Sequence, residues 1–170
     1  MFIPEYPHKA PMDSKAKQKA LRMISNGMYI MTARAGDRVG AATVTWLSQA
    51  SFKPPMIVAA IRRDGSLLEC VKEGRAAVIH MLGAHQQEIA RKFLTPPDVK
   101  NGTINGEPYV LGATAVPILS HLPAYVECRL RHIMEEGGDH AVVLLEVLDA
   151  QVREDVLPLL VADSPWEYGG

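Results

Sequence analysis

The sequence predicts a mainly β domain: a small antiparallel barrel of roughly six to seven strands, with three short helices at its periphery. Three observations lead there. Short apolar runs recur between Gly, Pro and Asp turn signals. Two stretches, 39–51 and 125–134, alternate in polarity with period two. Strands follow one another in pairs joined by turns, not in alternation with helices, which argues against a parallel sheet. The 170 residues are 48% hydrophobic with a net charge of -1, which suits one domain with its own core and excludes a disordered chain.

Residues 1–12 carry Pro4, Pro7 and Pro11 and are expected to form an extended arm. The domain proper is expected over 13–155, with 156–170 as a C-terminal tail. Residues 13–26 predict a helix: Asp13 or Ser14 caps it, Ala20, Leu21 and Ile24 make an apolar stripe, and Asn26-Gly27 stops it. A strand follows over 28–33, then a turn at Ala35-Gly36-Asp37. Residues 39–51 read as one alternating strand, with Ala42, Val44 and Trp46 on one side and Ala41, Thr43 and Thr45 on the other. Pro54-Pro55 precedes a buried strand over 56–61. Ser66 to Glu69 fits the S-x-x-E capping box, with Gly74 just past the helix it opens.

Another apolar strand covers 76–81, and a helix over 85–93 ends at Pro96-Pro97. Residues 95–120 are rich in Gly and Pro and read as one long loop, a feature that in a compact domain often carries function. The strand over 125–134 should place Val126, Cys128 and Leu130 inward and Glu127, Arg129 and Arg131 outward. Gly137-Gly138-Asp139 turns the chain into a last strand over 141–148.

Several function classes drop out. There is no G-x-G-x-x-G, Walker loop, G-x-S-x-G or H-E-x-x-H pattern, and the six histidines are too scattered to suggest a metal site. Cys70 and Cys128 read as reduced, half-buried or core thiols. The N-terminus lacks a secretory h-region, and no apolar run approaches the ~20 residues of a membrane span. The expectation is a cytoplasmic protein that binds neither membrane nor nucleic acid.

Two stretches carry chemistry. Arg62-Arg63-Asp64-Gly65-Ser66 ends a strand and opens a helix, where unpartnered N–H groups and two guanidinium groups favour a phosphate. Its bland alternative is an ordinary capped turn with solvated arginines. Thr43, Thr45, Trp46, Ser48, Gln49 and Ser51 place hydroxyls and an amide along one strand, suited to a flat heterocycle or, equally, to a solvated sheet face.

Together these stretches resemble the flavin reductase-like, FMN-binding split-barrel family. The matching run is 27–93. It shows a strand, the TVTWLSQAS segment, a double proline, a second strand and the basic turn. A helix, G-x-x-A-V, and Gln86, Ala90 and Phe93 as Q-x-x-x-A-x-x-F complete it. Gly138-Asp139-His140 before an apolar strand fits a later family signature, so the resemblance covers about 13–150. The resemblance implies an antiparallel split β-barrel and a homodimer with one FMN (or FAD) per subunit. It also implies NADH or NADPH as donor, with a monooxygenase or other electron acceptor as partner. It further implies that Thr43, Thr45, Trp46, Leu47, Ser48, Gln49, Ala50 and Ser51 line the flavin. Arg62, Arg63 and Ser66 would hold its phosphate. His80, at a position where many members carry Asn, joins the cofactor set, and His140 sits where the nicotinamide stacks. The implied activity is NAD(P)H:flavin oxidoreduction, with a non-enzymatic FMN electron carrier as the alternative.

Overall fold

A computed structural model describes residues 10–166 and 169; the expected arm lies outside these except for 10–12, which are exposed. The helices are α1 (Ser14–Arg22), α2 (Ser66–Gly74) and α3 (Gln87–Lys92). The longer strands are β1 (Tyr29–Ala35), β2 (Arg38–Val44), β3 (Leu47–Phe52), β4 (Pro55–Arg62) and β5 (Ala76–Met81). Four short strands follow: β6 (Val99–Lys100), β7 (Thr103–Ile104), β8 (Glu107–Leu111) and β9 (Pro117–Leu119). Two long ones, β10 (Ala124–Met134) and β11 (His140–Val152), complete the sheet.

Seven strands pair antiparallel in the order β2-β1-β5-β10-β11-β4-β3. The two edges of this sheet, β2 and β3, are neighbours in the chain. The predicted single strand over 39–51 is therefore two strands. Thr45 and Trp46 leave the ladder between them and carry the chain from one edge of the sheet to the other. That crossing rolls the sheet into a barrel and leaves a split between β2 and β4, which share no ladder.

Alternating residues fill the barrel. Ile57, Ala59 and Ile61 of β4 meet Ala141, Val143 and Leu145 of β11, and Met31, Ala77, Ile79, Cys128 and Leu130 complete the layer. Helix α2 plugs one end with Leu67, Leu68, Cys70 and Val71, all buried. Each of the larger side chains contributes about 1.5–3 kcal/mol through burial. The plug seats deeply because Gly40 of β2 has no side chain. A Cβ there would lie 2.5 Å from the Leu67 Cα and 2.8 Å from the Ser66 carbonyl oxygen.

The outer face of β1, β5 and β10 is covered too, which alternation did not foresee. Thr32 donates to the Pro117 carbonyl at 2.6 Å. The Leu119 N–H donates to His80 Nε2 at 2.9 Å. Glu127, expected outward in solvent, is 3% exposed and accepts from the Ala113 and Thr114 N–H groups and the Thr114 hydroxyl. Segment 112–122 thus lies over the sheet, and three buried polar side chains satisfy its backbone. The stretch expected as one loop is instead four short strands, β6 to β9, paired antiparallel. Asn101-Gly102 and Asn105-Gly106 make its two tight hairpin turns, all four residues at positive φ.

The periphery also differs in detail. Asp13 caps α1, its Oδ1 accepting from the Lys15 and Ala16 N–H groups. The helix ends at Arg22, and none of its residues is buried, so its apolar stripe finds no cover among the described residues. The C-terminal segment is not a loose tail. Leu159 is 1% exposed and sits in a second core cluster, with backbone bonds to Met28 and Leu82. Among the described residues no helix is long and apolar enough to cross a membrane.

Candidate functional site

The split between β2 and β4 opens into a cavity of about 480 Å³, within the usual range for small-molecule sites. One wall is Ala41 to Trp46, from β2 and the crossing. The other is Ala60 to Arg62 of β4 together with His140. The start of α2 closes one end with Gly65, Ser66 and Leu67, and Phe93 to Pro97 form a lip.

The lip is held by two bonds to Thr43. Its N–H donates to the Phe93 carbonyl at 3.0 Å and its hydroxyl to the Ala90 carbonyl at 2.7 Å. Thr43 therefore positions the lip and has already spent both its protons there. Thr45 is buried at 5% exposure. Trp46 is 38% exposed, and its carbonyl accepts from the Ala60 N–H at 2.9 Å, a bond that spans the split beside the cavity.

His140 reaches this place by register: it opens β11 directly opposite Arg62 at the end of β4. Its ring lies 4.6 Å from the Trp46 ring centroid, tilted by 54°, a favourable aromatic arrangement. His140 Nδ1 sits 2.8 Å from Asp139 Oδ1, so Nδ1 donates to the carboxylate and, in the neutral ring, Nε2 is the remaining acceptor. The same bond holds the Asp139 carboxyl below its ordinary range.

The basic turn differs from its expected form. Gly65, not Ser66, is the N-cap of α2, and no side chain caps the helix, so the first-turn N–H groups next to the cavity have no side-chain acceptor. Arg62 faces them but is engaged in a forked pair with Asp64, Nε to Oδ1 at 2.9 Å and NH2 to Oδ2 at 2.7 Å. Arg63 lies outside the cavity. It donates to the Gly138 carbonyl at 3.1 Å, and its N–H to Asp139 O at 3.0 Å, bracing the hairpin that presents His140.

Of the predicted site residues, Thr43, Thr45, Trp46, Arg62, Ser66 and His140 meet at this cavity. Leu47, Ser48, Gln49, Ala50 and Ser51 do not: they run along β3, the sheet edge, with Ser48, Gln49 and Ala50 exposed. His80 does not either. It is fully buried beneath segment 112–122, with both ring nitrogens engaged, Nδ1 to the Ile30 carbonyl at 2.9 Å and Nε2 to Leu119 N–H. The position that the resemblance placed on the cofactor belongs to the core. The lip residues Leu94 to Pro97 were missed as site residues, although the double proline that ends α3 marks where the chain must change direction.

Residues 21–167 match the family model described as "Flavin reductase like domain". The chain belongs to the flavin reductase-like family. It is 33% identical over 140 residues to diflavin flavoprotein A 1 of Synechocystis sp., an alignment covering 81% of this chain and 24% of that protein. The chain thus spans about a quarter of the length of the diflavin flavoproteins it matches. It is 28% identical over 146 residues to the reductase component of 4-hydroxyphenylacetate 3-monooxygenase of Thermus thermophilus, covering 86% of this chain and 90% of that one. The crystal structure of a flavin reductase domain protein from Arthrobacter sp. FB24 superposes with a TM-score of 0.72 at 28% identity, over 84% of this chain and 86% of that one. The fold is the split barrel of this family.

The cavity can be tested against a flavin on its own features. It is walled mostly by apolar groups, it carries an aromatic pair at one side, and it ends on an uncapped helix terminus beside a guanidinium group. A flat ring system with a phosphate-bearing tail matches that donor set in kind.

Proposed function

We propose that this flavin reductase-like chain is an NAD(P)H:flavin oxidoreductase that binds FMN in the split between β2 and β4. The observation that carries the reading is one cavity with an aromatic and apolar side at Trp46 and His140 and an anion-favouring end at α2. When bound, the flavin supplies hydride-accepting chemistry toward NAD(P)H. The protein's part is orientation and exclusion of water. The segment from Ala41 to Trp46 and the Leu94–Pro97 lip, which line the cavity, would enclose the ring system. The first-turn N–H groups of α2 would hold the phosphate. His140 offers Nε2 as an acceptor at the open side of the cavity, its ring held by Asp139 and Trp46, where it would position a nicotinamide amide.

Three further proposals accompany this one. Exposed Phe52, Leu148 and Val152, on β3 and β11, support a homodimer, in which Ser48 and Gln49 on the same edge would face a second copy. A monooxygenase that takes up reduced flavin is the partner this reading favours; the Thermus relative is itself named as the reductase component of a monooxygenase. The cytoplasm, which holds NAD(P)H, is the compartment. The match to a quarter of the diflavin flavoproteins favours one second reading, an FMN module that passes electrons on within or between proteins.

An absorbance spectrum of the purified protein, taken anaerobically before and after NADH and then NADPH, tests the proposal. Bleaching of a flavin band by one nucleotide supports the reductase and names its donor. A flavin band that ignores both moves the assignment to the electron carrier. Protein that stays colourless after reconstitution with FMN overturns both.

A further inference from the structure

The pairing at the anion-favouring end has a consequence for which flavin the site prefers. Arg62 is the one cationic side chain that lines the cavity among the described residues, and Asp64 lines it as well. Their two bonds form a fork-to-fork pair, the same geometry a guanidinium offers to a phosphate. A phosphate monoester arriving here meets a guanidinium whose Nε and NH2 fork is already engaged by a carboxylate. It also meets a carboxylate of its own sign. Both side chains are 68% exposed, so the pair is weak and open to exchange, not a locked structural bridge. The Asp64 carboxyl is held below its ordinary range by Arg62, so it stays charged through neutral and mildly acidic pH.

We propose that Asp64 is a specificity-determining residue: it competes with the flavin phosphate for Arg62 and so narrows the preference of the site for FMN over riboflavin. The inference rests on the flavin-binding reading above. Its functional meaning is exchange. A site that holds the phosphate loosely releases reduced flavin to a second protein more readily than one that clamps it. The cavity walls would then supply most of the binding, through the ring system, and the phosphate end comparatively little.

The test is equilibrium binding of FMN and of riboflavin by quenching of flavin fluorescence at fixed ionic strength, with the full chain, Asp64→Asn, Arg62→Gln and the double variant. Removing the one carboxylate that lines this end should tighten FMN binding roughly three- to tenfold, with riboflavin within about twofold. Arg62→Gln should cost FMN affinity more in the Asp64→Asn background than in the unaltered chain, because there the Nε and NH2 fork is no longer shared with a carboxylate. Equal changes for both flavins, or unchanged FMN affinity in Asp64→Asn while flavin still binds, would overturn this proposal and leave the reductase reading standing. Failure of the unaltered chain to bind either flavin would overturn both. Circular dichroism of the variants checks that the exposed turn has been altered without loss of fold.

Discussion

His80 makes the acid sensitivity of this fold a quantity that can be worked out. The Leu119 N–H donates to Nε2, so the proton sits on Nδ1 and is donated to the Ile30 carbonyl. Protonating Nε2 would set a second donor against Leu119, inside a fully buried site. Burial, together with the positive charge of Arg153, lowers the pKa from 6.5 to about 4, against a smaller raising effect of the Ile30 hydrogen bond. Unfolded, the ring titrates near 6.5; folded, it stays neutral down to about 4. Between those values the unfolded state binds more protons, so stability rises with pH across this window. The contribution is complete above pH 6.5 and is lost progressively as pH falls toward 4. Integrated to about pH 4.5, the loss is about 2–3 kcal/mol, a large share of the stability of a domain this size.

The perturbation is His80→Asn, which keeps a polar side chain but removes the titration. Urea unfolding of both proteins at about pH 7.5 and about pH 4.5 gives four free energies. The fixed cost of the substitution, about 1–3 kcal/mol for a lost buried hydrogen bond, appears at both pH values. All other titrations cancel in the difference. The advantage of the unaltered chain over His80→Asn should therefore shrink by about 2–3 kcal/mol on acidification. A difference that stays constant within about 0.5 kcal/mol would refute the assignment of a neutral, doubly bonded core histidine.

Other outcomes follow from the same geometry. His140→Ala removes the ring that packs on Trp46 and should raise the KM for NAD(P)H several-fold, while FMN affinity by fluorescence quenching changes less than about twofold. The reverse split would place His140 on the flavin. Gly40→Ala drives a Cβ into the Leu67 and Ser66 backbone, so α2 must lift from β2. Thermal unfolding should show a loss of about 1–3 kcal/mol. FMN binding should weaken in step, since the helix start forms one end of the cavity.

Much of the architecture was legible because strand patterning and turn chemistry are local. The strands over 76–81 and 141–148, the Asp13 cap and the turn at Gly36 rest on residues whose spacing alone sets backbone geometry. The two Asn-Gly turns in 95–120 obey the same turn rule, but the stretch reads as one long loop because Gly and Pro are spread throughout it. The break at Thr45 and Trp46 was not. Both residues continue the alternation of 39–51, and only the pairing of β2 with β1 and of β3 with β4 forces the chain to cross there.

The site divides along the same line. Sequence alone determined that a strand end with two arginines runs into a helix, that hydroxyls, an amide and Trp46 cluster between residues 43 and 51, and that His140 directly precedes another strand. Tertiary structure decided which of these meet. Register sets His140 opposite Arg62, while the cover of segment 112–122 takes His80 into the core and the sheet edge takes Ser48 and Gln49 away from the cavity. It also decided that Arg62 turns to Asp64 and Arg63 to Gly138. The reason is physical. Periodicity specifies which face a side chain takes on its own strand, whereas what lies over that face depends on segments tens of residues away, and only their packing assigns each polar group its partner.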